Sequence, residues 1–189
     1  KRHQRSGALY FMKLCLSARL WEGSKGHTIT LPEFLTVAAE LDYQGIELRY
    51  RMIPPPEKMD ALCADAKRLG LIVVFSTCAA LPRDAAQKAD AVRVIDAVRT
   101  LGGSDVRCRM ASEDDYAPMR QLADLAGEKG VKVTMQVHIK TLCDTVERTE
   151  QCLKKLAHPN VRLIFDPMHL RLMGDMDMTG AARRLSQWM

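Results

Sequence analysis

Several features that define whole classes of protein are missing from this sequence. No apolar run approaches the roughly 18 to 20 residues that a helix needs to cross a bilayer, so we expect no membrane-spanning segment. None of its 6 cysteines forms a C-x-x-C pair, and most lie in apolar stretches. That pattern favours reduced thiols in a core over disulfides or a zinc site, and it predicts a cytoplasmic protein.

The sequence also lacks a strong excess of one charge. It has 28 Lys and Arg against 23 Asp and Glu, which leaves a net charge of +5. Beyond the basic start at Lys1, Arg2 and Arg5, charges of both signs are mixed along the predicted helices. A nucleic-acid-binding protein usually concentrates its positive charge in one stripe, so we expect no nucleic-acid partner. With 47% apolar and 27% charged residues, the composition is that of a folded domain rather than a disordered chain.

The sequence repeats one pattern, in which a short apolar run is followed by an amphipathic helical segment. Thr30-Leu-Pro-Glu33 is typical of a capping box at the start of a helix, and Gly70 is a typical helix stop. Strand starts are roughly 26 to 34 residues apart, the length of one βα unit, which predicts a parallel sheet. The six predicted strands span 12–17, 45–49, 71–76, 105–110, 131–137 and 161–165, and the last predicted helix spans 180–189.

Two α/β architectures fit this pattern: a doubly wound sheet and an eight-stranded (β/α)8 TIM barrel. The segment after the first strand contains no G-x-G-x-x-G, and no P-loop occurs anywhere, so the barrel is favoured. A barrel needs eight units and typically about 250 residues, whereas six units are present here. We therefore expect residues 12–189 to form an incomplete TIM barrel, with residues 1–11 as an extension outside the fold.

Active residues of parallel barrels lie where the strands end, and two polar pairs occupy such positions here. Asp166 leaves the sixth strand and His169 follows three residues later, an arrangement that suits a divalent cation touching a substrate oxygen. The alternative is an ordinary Asp-Pro turn with an exposed histidine. Gln136 and His138 alternate, so they share a face, as cation and substrate ligands or as an interior hydrogen-bonding pair.

Three further residues are candidates for the site. Glu47, at the end of the second strand, is a candidate to orient substrate, or else pairs with an arginine. Arg109 is a candidate to bind a sugar hydroxyl or a phosphate, or else forms an interior salt bridge. Trp21 follows the first strand, where it either forms a wall of the substrate pocket or packs on its own loop.

Three stretches of the chain resemble the sugar phosphate isomerase/epimerase superfamily, the xylose isomerase-like barrels. The stretch AAELDYQGIEL over 38–48 is similar to the family's second unit, GVKVTMQVH over 130–138 to its fifth strand, and NVRLIFDPMH over 160–169 to its sixth. The resemblance runs in order over 12–189. It implies a xylose isomerase-like TIM barrel of which the first six units are present.

The resemblance also implies a set of site residues. Such enzymes usually hold Mn²⁺, Mg²⁺, Co²⁺ or Zn²⁺ with a Glu on strand five, an Asp on strand six and further ligands on strands seven and eight. Asp166 matches the strand-six ligand and His169 the substrate-contacting histidine. From their positions after the strands, His138, Arg109 and Trp21 are predicted as further substrate contacts. Gln136 stands where the strand-five Glu belongs, so it is a weaker ligand and a doubtful acid/base group.

The implied activity is metal-assisted proton transfer on a sugar or small hydroxy-ketone through an enediolate, with Gln136 and Glu47 as the catalytic candidates. Dehydration of a polyol ketone and a barrel that has lost catalysis but binds ligand remain alternatives. The endonuclease IV branch is disfavoured, because strand three ends in Phe75-Ser-Thr-Cys without histidine. The expected partner is a small sugar-like molecule, and a homo-oligomer is left open.

Overall fold

The structure is a computed structural model that describes residues 13–77 and 80–189, without the side chains of 74–77. The predicted extension over 1–11, Met12 and Cys78 lie outside the described residues. Six strands form one parallel sheet in sequence order from β1 to β6, so β1 and β6 are its edges. The strands are β1 (Cys15–Ser17), β2 (Gly45–Leu48), β3 (Ile72–Thr77), β4 (Asp105–Cys108), β5 (Lys132–Gln136) and β6 (Val161–Ile164).

Helices connect successive strands, as right-handed βαβ crossovers require. Thr30 begins α1 with the predicted capping box, since its side chain accepts from the Glu33 backbone and Glu33 accepts from the Thr30 backbone. Asp84 and Thr145 cap α3 and α5 with the side-chain bond alone, each accepting from a backbone N–H of the first turn, without the reciprocal bond of a capping box. The helices are α1 (Leu31–Glu40), α2 (Met59–Arg68), α3 (Ala85–Thr100), α4 (Tyr116–Glu128), α5 (Val146–Leu156), α6 (Pro167–Leu172) and α7 (Met178–Leu185).

The structure confirms all six predicted strands; five of them are shorter than predicted, and β3 has the predicted length but is shifted by one residue. β4 ends at Cys108, whose pair with Met135 is the last between β4 and β5, and β5 ends at Gln136, whose pair with Ile164 is the last between β5 and β6. Arg109 and His138, predicted within or at the end of strands, therefore lie in the loops that follow β4 and β5. Within the described residues, the elements that were not predicted include helix α6, a short antiparallel hairpin of Glu22–Gly23 with Gly26–His27, and the 3-10 helices Ala18–Trp21 and Tyr50–Met52.

The core consists of two clusters of buried side chains along the sheet. One cluster lies around β1 to β3, with Phe34, Ile46 and Leu48 fully buried. A larger cluster joins β4 to β6 with α3 to α5, where Met119 and Met135 are buried. Alternate residues of β4 and β6 are buried in this cluster, and the polar groups at the strand ends are left to form a site. In the described part of the chain, no helix has both the length and the apolar character needed to cross a membrane.

Candidate functional site

The carboxyl ends of the strands open into a cleft of about 880 Å³. Parallel strands end on the same edge of a sheet, so side chains from β2, β4 and β5 and from the following loops converge there. Five of the predicted site residues line it: Glu47, Arg109, Gln136, His138 and His169. Asp166 hydrogen-bonds to Gln136 and so belongs to the same constellation.

Glu47 is the anionic centre of the cleft and is only 6% exposed. Its Oε1 accepts from Arg49 Nη1 at 3.1 Å and from Arg107 Nη2 at 3.2 Å, while Ser17 donates its hydroxyl to Oε2. A buried carboxylate is tolerated when cations and hydrogen-bond donors compensate for its lost hydration. Both carboxylate oxygens of Glu47 are thus engaged, which suits a residue that positions the arginines.

A continuous chain of hydrogen bonds runs from Arg107 through Gln136 to Asp166. Arg107 Nη1 donates to Gln136 Oε1 at 2.9 Å, and Gln136 Nε2 donates to Asp166 Oδ2 at 2.6 Å. This is the orientation that satisfies both neighbours, because a guanidinium only donates and a carboxylate only accepts. Burial lowers the pKa of the Arg107 guanidinium, and Glu47 opposes that shift. An arginine remains charged at neutral pH despite such a shift.

Asp166 is fixed by the helix that follows it. Its Oδ1 accepts from the backbone N–H groups of Met168 at 3.0 Å and His169 at 3.3 Å, so Asp166 is the N-cap of α6 with Pro167 at the first position. The predicted Asp-Pro turn is therefore the start of a short helix. This helix returns His169 toward the strand ends, where its Nε2 lies 3.8 Å from Asp166 Oδ2.

The two predicted histidines are in contact. The rings of His138 and His169 have centroids 3.9 Å apart and planes inclined by 39°. Burial and the neighbouring His138 lower the pKa of His169, and Asp166 only partly offsets them, so His169 is neutral at pH 7. His138 Nδ1 lies 2.7 Å from the carbonyl oxygen of Ile139. A carbonyl accepts only, so Nδ1 carries a proton, and in the neutral ring the lone pair is therefore on Nε2.

Arg109 and Trp21 occupy different surroundings. Arg109 lines the cleft and is exposed. Trp21 does not line this cleft; it is half-buried, with its ring edge-on to Phe34 at 5.6 Å between centroids. The functional residue that our reasoning undervalued is Arg107. It lies on β4 two positions before Arg109, which begins the following loop, and both arginines line the cleft.

A divalent cation does not fit Asp166 and Gln136 as they are arranged here. The Gln136 oxygen is directed at a guanidinium, and its amide nitrogen, which cannot ligate, faces the Asp166 carboxylate. Rotating the amide would offer the oxygen to a cation near Asp166 but would set N–H groups against Arg107. Across residues 13–77 and 80–189, no three His, Cys, Asp or Glu side chains are grouped to hold a metal ion.

Comparison with known proteins identifies the family of this chain. A family profile described as the xylose isomerase-like TIM barrel matches residues 35–187. A comparison with curated protein sequences gave no match. Solved structures resemble the fold closely at low sequence identity, and 85 of their chains match.

Three of these structures illustrate the different proteins that share the fold. The probable 3-DHS dehydratase AsbF from Bacillus anthracis has a TM-score of 0.81 and 17% identity, over 94% of this chain and 71% of its own. A xylose isomerase-like TIM barrel protein from Mycobacterium smegmatis, in complex with magnesium, has a TM-score of 0.75 and 15% identity. The match covers 94% of this chain and 72% of that protein. D-psicose 3-epimerase from Clostridium cellulolyticum H10, with D-tagatose, has a TM-score of 0.75 and 16% identity. The match covers 94% of this chain and 71% of that protein. The predicted barrel architecture is thereby confirmed, and the chain belongs to the xylose isomerase-like TIM barrel family.

Proposed function

We propose that this protein moves a proton at a carbon beside a carbonyl group of a sugar or small hydroxy-ketone, in an isomerase or epimerase reaction. The observation that carries the proposal is the tautomer of His138. Its Nδ1–H is committed to the Ile139 carbonyl at 2.7 Å, which leaves Nε2 as a proton acceptor on a residue that lines the cleft. A neutral imidazole is the side chain best matched to proton transfer near pH 7.

Arg107 supplies the positive charge that complements the negative charge formed on the substrate. Removing a proton beside a carbonyl places negative charge on the carbonyl oxygen, and a fixed cation in a partly buried cleft stabilises that charge. Arg107 is only 15% exposed in its side chain and is held from two sides, by Glu47 and by Gln136. Such a preorganised guanidinium costs little reorganisation when the oxyanion forms. We assign it to the enediolate oxygen.

The remaining predicted residues take positioning and binding roles in this proposal. Glu47 and Gln136, our predicted catalytic residues, hold Arg107, and Asp166 holds Gln136. His169 stacks on His138 and is neutral, so it is suited to exchange a hydrogen bond with a substrate hydroxyl. Solved relatives with bound D-tagatose and with magnesium show what those proteins bind. A sugar-like substrate is consistent with the first of them.

The test is hydrogen exchange at carbon in D2O, followed by proton NMR over a panel of ketohexoses, keto-inositols, hydroxy-keto acids and phosphorylated hydroxy-ketones. Exchange beside the carbonyl reports proton removal even where net turnover is slow. The His138→Gln variant is expected to slow exchange by about 10²-fold or more. The matched control is His158→Gln, because His158 pairs with Asp124 and does not line the cleft. Exchange that is unchanged in His138→Gln would overturn the assignment.

The same experiment separates two alternatives. Elimination of water after proton removal gives a product with a new double bond, which identifies a dehydratase. A barrel that has lost catalysis is favoured by one observation: Gln136, at the family's carboxylate position, is bound to Arg107. For that protein the expected result is ligand binding with no carbon-bound exchange in any substrate of the panel.

A further inference from the structure

The cleft carries more positive than negative charge. Three carboxylates line it: Glu22, Glu47 and Asp115. Its cationic lining residues are twice as many: Arg19, Arg49, Arg83, Arg107, Arg109 and Lys140. A concave surface of one prevailing sign concentrates ligands of the opposite sign. This excess lies at the end of the sheet where the candidate catalytic residues lie.

Four of these cations already have carboxylate partners. Arg49 and Arg107 pair with Glu47, Arg19 pairs with Glu22, and Arg83 pairs with Asp115. The two that remain are different. In the part of the chain that the structure describes, neither Arg109 nor Lys140 has an ion pair or side-chain hydrogen bond. Both are exposed, and both line the cleft.

The loops that carry Arg109 and Lys140 are tied to each other. Leu142 donates its backbone N–H to the carbonyl oxygen of Met110 at 2.9 Å, which links the loop after β5 to the loop after β4. The Thr141 hydroxyl donates to the carbonyl oxygen of His138 at 2.7 Å and accepts from the Cys143 N–H at 3.0 Å. The two cations are thus presented on loops that are fixed relative to each other and to His138.

The backbone at Lys140 is itself unusual. Its φ is 61°, in the left-handed region that a lysine adopts only at a cost. Such a conformation persists where the surrounding structure enforces it, and it is concentrated at ligand sites. Here the hydrogen bonds of Thr141 and Leu142 enforce it. The strained turn keeps Lys140 at the cleft instead of releasing it to the outer surface.

We propose that the substrate is an anion, whose carboxylate or phosphate group pairs with Arg109 and Lys140. Arginine binds both groups through two parallel hydrogen bonds, and lysine adds a point charge. The proposal rests on the proposed function, because the anionic group would hold the reacting carbon near His138. It narrows the substrate class from neutral sugars to hydroxy-keto acids or phosphorylated hydroxy-ketones.

The test measures binding of three small probes by NMR titration: glycolate, inorganic phosphate and neutral dihydroxyacetone. Glycolate or phosphate is expected to bind more tightly than dihydroxyacetone, and the stronger of the two identifies the anionic group. In the Arg109→Gln, Lys140→Gln double variant, the affinity for that anion is expected to fall by about tenfold or more. Added salt is expected to weaken binding in the wild type more than in the variant.

The matched control is the Arg99→Gln, Lys67→Gln double variant, which removes two exposed cations on α3 and α2, outside the cleft. Equal loss of binding in both double variants, or anion binding no tighter than dihydroxyacetone, would overturn the anionic substrate. Repeating the titration with His138→Gln keeps the two proposals apart. Retained anion binding with no proton exchange in any variant would count against the proposed function alone.

Discussion

Gln136 and Asp166 are joined by a hydrogen bond of 2.6 Å, from the amide nitrogen of one to Oδ2 of the other. The same amide accepts from Arg107 at 2.9 Å through its oxygen. A glutamate at 136 would keep the second contact and turn the first into a repulsion. The choice of amide over carboxylate at this one position therefore decides whether the pair is stable without a cation.

The Gln136→Glu variant tests this relationship. At pH 7 with a chelator present, we expect the free energy of unfolding to fall by about 1–3 kcal/mol, because a donor to Asp166 becomes a like charge. The deficit should shrink as pH falls and one carboxyl of the pair protonates. Added Mn²⁺ should stabilise the variant more than the wild type, since two carboxylates attract a dication. Urea unfolding curves measure all three effects.

The control for that experiment is Gln136→Met, which removes the same hydrogen bonds without adding charge. Its stability should not respond to Mn²⁺ and should show no recovery at low pH. A Gln136→Glu variant as stable as the wild type in chelator would contradict the structural account.

Replacing Glu47 by Gln should destabilise the protein strongly. The carboxylate is 6% exposed and pairs with two guanidinium groups, so its loss removes the anion that Arg49 and Arg107 share in a mostly buried position. Removing one partner of a buried pair costs about 3 kcal/mol or more. Urea unfolding of Glu47→Gln should show this loss, whereas Glu128→Gln, at an exposed position without an ion pair in the described residues, should match the wild type. A loss below about 1 kcal/mol would show that Glu47 is hydrated and unpaired in solution.

His169 should make stability depend on pH. Burial and His138 lower its pKa below 6.5 in the folded protein, so the unfolded chain binds more protons between that lowered value and 6.5. Stability contributed by the neutral ring is therefore complete above pH 6.5 and is lost as the pH falls toward the folded pKa. The difference in unfolding free energy between wild type and His169→Gln should change between pH 7.5 and pH 5, in favour of the variant at the acid end. A difference that is constant with pH would refute the shift.

Gly45 is required by close packing at the start of β2. A Cβ there would lie 2.8 Å from Cys15 Sγ and 3.0 Å from the Ile72 carbonyl oxygen, closer than van der Waals contact permits. Because one of these atoms belongs to the backbone of β3, the strands would have to separate. We expect Gly45→Ala to cost about 1–3 kcal/mol in urea unfolding. Gly23→Ala is the control, since its nearest neighbour is at 3.5 Å, and equal effects of the two variants would contradict this packing.

The local sequence predicted the repeating elements well, for a physical reason. Strand interiors and helix caps depend on residues close in the chain, so runs such as 131–137 and the Thr30 capping box carried their own signals. Helix α6 was missed because six residues are too few to show a helical period. Its start was nevertheless signalled by Asp166 before a proline, which we interpreted as a turn.

The same distinction between local and long-range interactions applies to the site. The sequence by itself determined which polar residues follow which strands, and parallel pairing then required Glu47, Gln136, His138 and His169 to meet at one edge. The partners of these residues, however, are distant in the chain: Arg107 is 60 positions from Glu47 and 29 from Gln136. Only the tertiary structure decided that the Gln136 oxygen is directed at Arg107, that Trp21 packs on Phe34, and that His138 carries its proton on Nδ1. Those outcomes depend on hydrogen-bond geometry within about 3 Å, which neither composition nor periodicity specifies.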